Sequence, residues 1–182
     1  MRRDGAANRE RILEAAEQVF SAGGTAVSTD EVARRAGVGI ATVFRHFPTK
    51  QDLLEATALR HLTAMREEVR ALGTDTAPAT SFARIFRTLV ETGPTKVTLL
   101  DLTTTDGREL AEPLAAAAHV VREEVRSTLT TAQAVGAVRP DATVETVFTL
   151  ARALALASVG TGPGAGIDHE IGIVLDGLGV PR

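Results

Sequence analysis

Between Ser28 and Lys50 the chain carries two helix starts and two helix stops in quick succession. Such crowding leaves room only for two short helices joined by a tight turn. The stretch reads Ser-Thr-Asp-Glu-Val-Ala-Arg-Arg-Ala-Gly-Val-Gly-Ile-Ala-Thr-Val-Phe-Arg-His-Phe-Pro-Thr-Lys. Ser28 and Glu31 have the spacing of a capping box: the serine hydroxyl accepts from the Glu31 N–H, and the Glu31 carboxylate reaches back to the Ser28 N–H. Val32, Ala33 and Ala36 give the first helix an inward face, and Gly37 ends it because glycine tolerates left-handed backbone. The next helix starts near Gly39, buries Val43 and Phe47 one turn apart, and stops at Pro48, which biases its predecessor out of helical geometry. Two helices set at an angle by a glycine turn, the second with a small polar outer face, have the form of a helix-turn-helix DNA reader.

The same residues resemble a known family. Residues 8–55 are similar to the DNA-binding domain of the tetracycline-repressor (TetR) family of bacterial regulators. In effect the family pattern runs Ala-Gly-Val-Ser-x-x-Thr-Leu-Tyr-x-His-Phe-x-x-Lys-x-x-Leu-Leu. This chain has Ala36-Gly37-Val38-Gly39, then Thr42-Val43-Phe44-Arg45-His46-Phe47, then Lys50-Gln51-Asp52-Leu53-Leu54. Gly39 stands where Ser or Thr is usual, and brings no hydroxyl to a phosphate. Phe44 stands where Tyr is usual, so the ring is kept without its hydroxyl. The loop Gly23-Gly24-Thr25-Ala26-Val27 is one residue short of the pattern. The resemblance covers about the first third of the chain, and beyond it implies only the architecture.

Composition narrows the class. The chain has 182 residues, 44% hydrophobic and 24% charged, ordinary values for a globular protein with a real core. Aromatic residues are only 3%, so the core must be built from Ala, Leu and Val. There is no cysteine, which excludes disulfides and thiolate metal sites. No apolar run approaches a membrane span. The charged start Met1-Arg2-Arg3-Asp4-Gly5 lacks an apolar signal core, so the expected location is cytoplasmic. Net charge is −3, which alone argues against nucleic acid, but distribution matters more than the sum. Arg2, Arg3, Arg9, Arg11, Arg34, Arg35, Arg45 and Lys50 fall in the first fifty residues, against Asp4, Glu10, Glu14, Glu17, Asp30 and Glu31. The small excess suits a modest DNA footprint on an acidic body.

Helical periodicity runs through the rest. A first helix is expected over 8–21, with Ile12, Ala16, Val19 and Phe20 on one face. Lys50 to Leu72 reads as one long helix with Leu54, Ala58, Leu62, Met65, Val69 and Leu72 in a stripe, roughly 34 Å at about 1.5 Å per residue. Gly73 to Pro78 breaks it. Residues 80–91 form the next helix, clustering Phe82, Ile85, Phe86 and Leu89. Residues 95–105 are read as a short helix running into irregular chain, and Asp106-Gly107 as a turn. A long helix with Pro113 near its start runs to Ala134, its stripe Leu114, Ala118, Val121, Val125 and Leu129. After a turn over 136–140, Asp141 or Thr143 caps a helix to Ser158. Val147, Phe148, Leu150, Ala151, Leu154, Ala155 and Leu156 make that helix apolar almost all round, which requires cover on every side; a second copy of the chain is the expected cover. Gly160 to Gly166 is a connector, and a last helix spans 168–178. The predicted fold is all-α, a three-helix reader at 1–48 followed by a helical bundle at 49–182, joined by the long helix 50–72.

Site residues follow. Ile40, Ala41 and Thr42 would face base edges, where Thr can hydrogen-bond and small apolar groups meet a thymine methyl. The resemblance implies that His46 and Lys50 meet phosphates, and Gly39, Phe44 and Arg45 share that helix. Ser28 and Thr29 lie at a helix N-terminus, which favours anions. From helix faces, a small, mainly apolar effector would sit among Leu62, Met65, Phe86, Leu89, His119 and Phe148. His61, His119 and His169 have no ligand-spaced partner on a shared helix face, so no metal and no cofactor are expected. The glycines at 160–166 lack the preceding strand and the spacing of a nucleotide loop. No activated nucleophile or paired carboxylates appear, so an enzyme is not expected. The alternative, an α-helical interaction module or helical enzyme without DNA binding, leaves residues 28–50 unexplained. The resemblance implies a homodimeric repressor, dimerising through its last two helices, released from a palindromic double-stranded operator by its effector. Effector identity, operator sequence and regulated genes are not legible.

Overall fold

The computed structural model describes residues 2–23, 27–74, 77–92, 111–158 and 167–179, and among them the fold is all-α, with eight helices. These are α1 (Arg2–Gly23), α2 (Thr29–Ala36), α3 (Ile40–His46), α4 (Lys50–Gly73), α5 (Pro78–Glu91), α6 (Glu112–Ala134), α7 (Val144–Ser158) and α8 (Ile167–Gly177). The stretch at 93–110, the connector at 160–166 and the loop at 24–26 lie outside the described residues. The chain divides into two compact units. The described part of the first is residues 2–23, 27–63 and 111–117, and that of the second is 64–74, 77–92, 118–158 and 167–179. The cut falls inside α4, after Thr63.

In the first unit α1, α2 and α3 pack on one another. Ile12, Leu13, Ala16 and Phe20 of α1 meet Val32, Ala33 and Ala36 of α2, Val43 of α3 and Phe47, all buried. α1 starts earlier than residue 8, because nothing in Arg2 to Ala7 stops a helix and Gly5 has open space around it. Leu53, Leu54, Ala58 and Leu62 of α4 and Leu114 of α6 are buried in this unit too. Thr57 is also buried, and its hydroxyl donates to the Leu53 carbonyl at 2.6 Å, which satisfies it within the helix. Polar ties join the helices: Arg35 donates twice to Gln18 Oε1, at 3.1 and 2.8 Å. Arg60 reaches both Glu10 at 2.6 Å and Glu17 at 2.5 Å.

In the second unit α5 begins at Pro78 rather than Thr80. Proline at the first helical position is pre-set in φ and lacks an N–H that would have had no partner. Phe82, Ile85, Phe86, Leu89 and Val90 are buried, as are Met65 and Val69 of α4 and Val121, Val125, Leu129 and Ala132 of α6. α4 ends on Gly73, where an added Cβ would lie 3.3 Å from Thr128 Oγ1, so glycine permits the close approach to α6. Gly136, at φ 73°, turns the chain out of α6, and the Ala137 N–H returns to the Ala132 carbonyl at 2.9 Å. Of the two candidate caps for α7, Thr143 is the one used: its Oγ1 accepts from the Thr146 N–H at 3.1 Å, while Asp141 pairs with Arg139. α7 buries Val147, Ala151 and Ala155, leaves Phe148, Leu150 and Leu154 half-buried, and leaves Leu156 49% exposed. Beside it α8 buries Ile171 but exposes Ile173 by 54%.

Candidate nucleic-acid interface

The reader is built by local caps. Ser28 is extended (φ −90°, ψ 155°), and its Oγ accepts from the Glu31 N–H at 3.2 Å. The Glu31 carboxylate does not complete the box: it pairs with Arg34, 2.8 Å away. α2 stops at Gly37 in the left-handed region (φ 66°), and the Val38 N–H donates to the Ala33 carbonyl at 3.1 Å. Gly39 caps α3 through its backbone only, its carbonyl accepting from the Thr42 N–H at 2.8 Å. The helix closes at Phe47, whose N–H donates to the Val43 carbonyl at 2.8 Å.

With Val43 buried as its anchor, α3 leaves Gly39, Ala41, Phe44 and Arg45 exposed and Ile40, Thr42 and His46 half-exposed. Phe44 is 46% exposed. Ser28 is exposed and Thr29 half-buried at the start of α2. Lys50 opens α4, its ammonium 5.9 Å over the Phe20 ring. All ten residues named from sequence for DNA contact therefore fall in the first unit.

Several acids of this unit are already paired. On α1, Glu10 and Glu17 are engaged by Arg60, and Glu17 also by His61 at 2.7 Å. The hydrogen bond from His61, with the positive charges of His61 and Arg60, holds the Glu17 carboxyl below its usual range against the opposing effect of burial. Asp52 accepts from the Thr49 N–H at 2.9 Å and from its hydroxyl at 2.8 Å, while Thr49 Oγ1 accepts from the Asp52 N–H at 3.0 Å. This capping box is complete, is signalled by Thr49-x-x-Asp52 in the sequence, and fixes the step from α3 into α4.

Residues 12–57 match the family model for bacterial regulatory proteins of the tetR family, and residues 77–180 match that of the SbtR-like transcriptional regulator C-terminal domain. The chain belongs to the TetR family of bacterial regulators. It is thus a transcriptional regulator with a DNA-binding helix-turn-helix, and its family and relatives are regulators rather than enzymes. A solved TetR transcription regulatory protein of Mycobacterium vanbaalenii is 32% identical, with TM-score 0.73, over 97% of this chain and 98% of that one. The TetR-like regulator LfrR of Mycobacterium smegmatis, solved in complex with proflavine, shares the fold at 23% identity, TM-score 0.76, over 97% of this chain and 98% of that one. An HTH-type transcriptional regulator of Staphylococcus aureus is 33% identical over 76 residues, 41% of each protein. The chain thus spans less than half the length of that curated relative.

The residues expected from helix faces to hold an effector fall in both units. Met65, Phe86 and Leu89 are buried in the second unit, and Phe148 is half-buried under the Arg122 guanidinium, 5.1 Å from its ring centroid. Leu62 is buried in the first unit. His119, expected in that set, is exposed, because the inward stripe of α6 runs through Val121 and Val125 and position 119 lies on the far side. The buried histidine is His61. Its partner Glu17 is 44 positions away in sequence, a separation that no local pattern signals. Among the described residues no group of His, Asp and Glu is placed to hold a metal, and no helix is long and apolar enough to cross a membrane.

Proposed function

We propose that this TetR-family regulator is a homodimeric repressor that leaves a palindromic operator when a small, mainly apolar effector binds. The observation that carries the reading is the presentation of α3: anchored by buried Val43, it turns Ala41, Phe44 and Arg45 to solvent, with Thr42 half-exposed among them. In this reading Ile40, Ala41 and Thr42 meet base edges, while Ser28, Thr29, Gly39, Phe44, Arg45, His46 and Lys50 hold the DNA backbone. The functional boundary lies near residue 48, with α4 beginning the regulatory part.

Dimerisation through α7 and α8 is supported by the apolar side chains that a single chain leaves uncovered, Leu156 and Ile173 above all. Two readers related by a two-fold axis then demand half-sites about 34–36 Å apart, one turn of the double helix. Effector control is supported by the solved complex of LfrR with proflavine and by the apolar character of Met65, Phe86, Leu89 and Phe148 in the second unit. Moving such a regulator from mostly bound to mostly released takes about 5.5 kcal/mol of preference for the DNA-incompetent state.

Selection of duplexes from a random library by the purified protein tests the reading. An inverted repeat with half-sites about one turn apart is expected, shifted in gels as two chains per duplex. Failure to retain any duplex would overturn it.

A further inference from the structure

We infer that Arg9, on α1, is a further contact to the DNA backbone, held in place by the closing residue of the recognition helix. The inference rests on the DNA-binding reading above and extends it to a helix that supplies none of the residues named there. The Arg9 guanidinium carbon lies 5.3 Å over the centroid of the Phe47 ring. Phe47 is the C-cap of α3 and is only 3% exposed, while Arg9 itself is exposed. The cation is thus seated at the rim where α3 ends. The His46 ring, also assigned to the backbone, stands 6.3 Å from the same Phe47 ring.

Arg9 extends the inward stripe of α1 by one turn. Leu13, Ala16 and Phe20 follow it at four, seven and eleven positions, and all three are buried. Its own position is where that stripe runs off the core onto the surface. Its charge is also unspent: the adjacent Glu10 is turned to Arg60 at 2.6 Å, and among the described residues no carboxylate pairs with Arg9. A guanidinium stacked on a ring keeps its in-plane N–H donors free, and these match a phosphate's oxygens. Lys50, beyond the same helix end, rests its ammonium over Phe20 in the same manner. Two cations, each seated on an aromatic ring of the reader's core, thus flank the end of the recognition helix.

A purely structural Arg9, covering Phe47 from water, would affect folding and leave the salt dependence of binding unchanged. A phosphate contact has a different signature, because it releases a condensed counterion. The test measures affinity of the full chain, Arg9→Gln and Arg9→Lys by fluorescence anisotropy at a series of salt concentrations. Two duplexes serve as probes, one enriched from a random library by the wild-type protein and one of random sequence and equal length. For Arg9→Gln the slope of log affinity against log salt should fall by about 0.9, so the wild-type advantage shrinks about threefold between 50 and 200 mM salt. The change should be similar on both duplexes, and Arg9→Lys should keep the wild-type slope. A wild-type slope in Arg9→Gln, with a duplex still bound, overturns this inference alone. Absence of wild-type binding to either duplex overturns it together with the DNA-binding reading. Thermal melts of the three proteins separate loss of fold from loss of contact.

Discussion

Glu17 accepts a hydrogen bond from His61 Nδ1 across 2.7 Å, tying α1 to α4. A carboxylate can only accept, so the ring nitrogen facing it carries the proton. The hydrogen bond and nearby positive charge hold the Glu17 carboxyl below its usual range. A depressed acid stabilises the fold fully above its unfolded value, and the contribution is lost as pH falls through the folded value. Wild-type stability should therefore decline as pH drops below about 4.3, the ordinary glutamate range. Glu17→Gln should cost about 1–3 kcal/mol at neutral pH and show a flatter acid limb in urea unfolding. An unchanged acid limb would mean the contact does not stabilise the fold.

Thr42 is half-exposed in the first turn of the recognition helix. At a base edge, its replacement by alanine should cost about 1–3 kcal/mol and relax preference at one operator position. Equal losses on cognate and random duplexes would remove Thr42 from the base-reading set.

Lys50→Ala addresses the backbone contacts. Binding should weaken alike on all sequences, with the salt slope reduced by about one. A sequence-dependent loss would point to a base contact instead.

Gly37 isolates a backbone effect. Its φ is 66°, and an added Cβ would meet nothing within 4 Å. Gly37→Ala should destabilise by about 1–2 kcal/mol through conformation alone, read as a lower midpoint in thermal unfolding. A neutral result would mean the turn can shift out of the left-handed region.

Ile173 and Leu156 test the proposed dimer. Burying such a side chain is worth about 1.5–3 kcal/mol, and symmetry counts each one twice. Ile173→Asp should shift the sedimentation profile from dimer to monomer while helical content stays constant. A dimer of unchanged affinity would place the interface elsewhere.

The parts of this fold legible in the sequence are those written by neighbours a few residues apart. Ser28, Gly37 and Pro48 mark helix ends through backbone chemistry that distant residues barely alter, and the stripe of α4 is buried from Leu54 to Val69, with Leu72 half-buried. Boundaries without such marks moved: α1 runs back to Arg2, and α5 begins two residues early at Pro78. Choice between caps was not legible either. Asp141 and Thr143 are equal candidates until Arg139 claims Asp141, at 2.5 and 2.7 Å. Burial of His61 and exposure of His119 depend on which side of a helix meets its neighbours, which composition around each residue does not state.

The reciprocal bonds between Thr49 and Asp52 bear on how a signal would travel. Only Phe47 and Pro48 separate the last residue of α3 from that lock, and proline fixes one of the few torsions there. So short and stiff a coupling has little slack in which to absorb motion. In the proposed mechanism, torque on the first coil of α4 would reach the recognition helix as a change of aim, much as a spanner turns a seized nut.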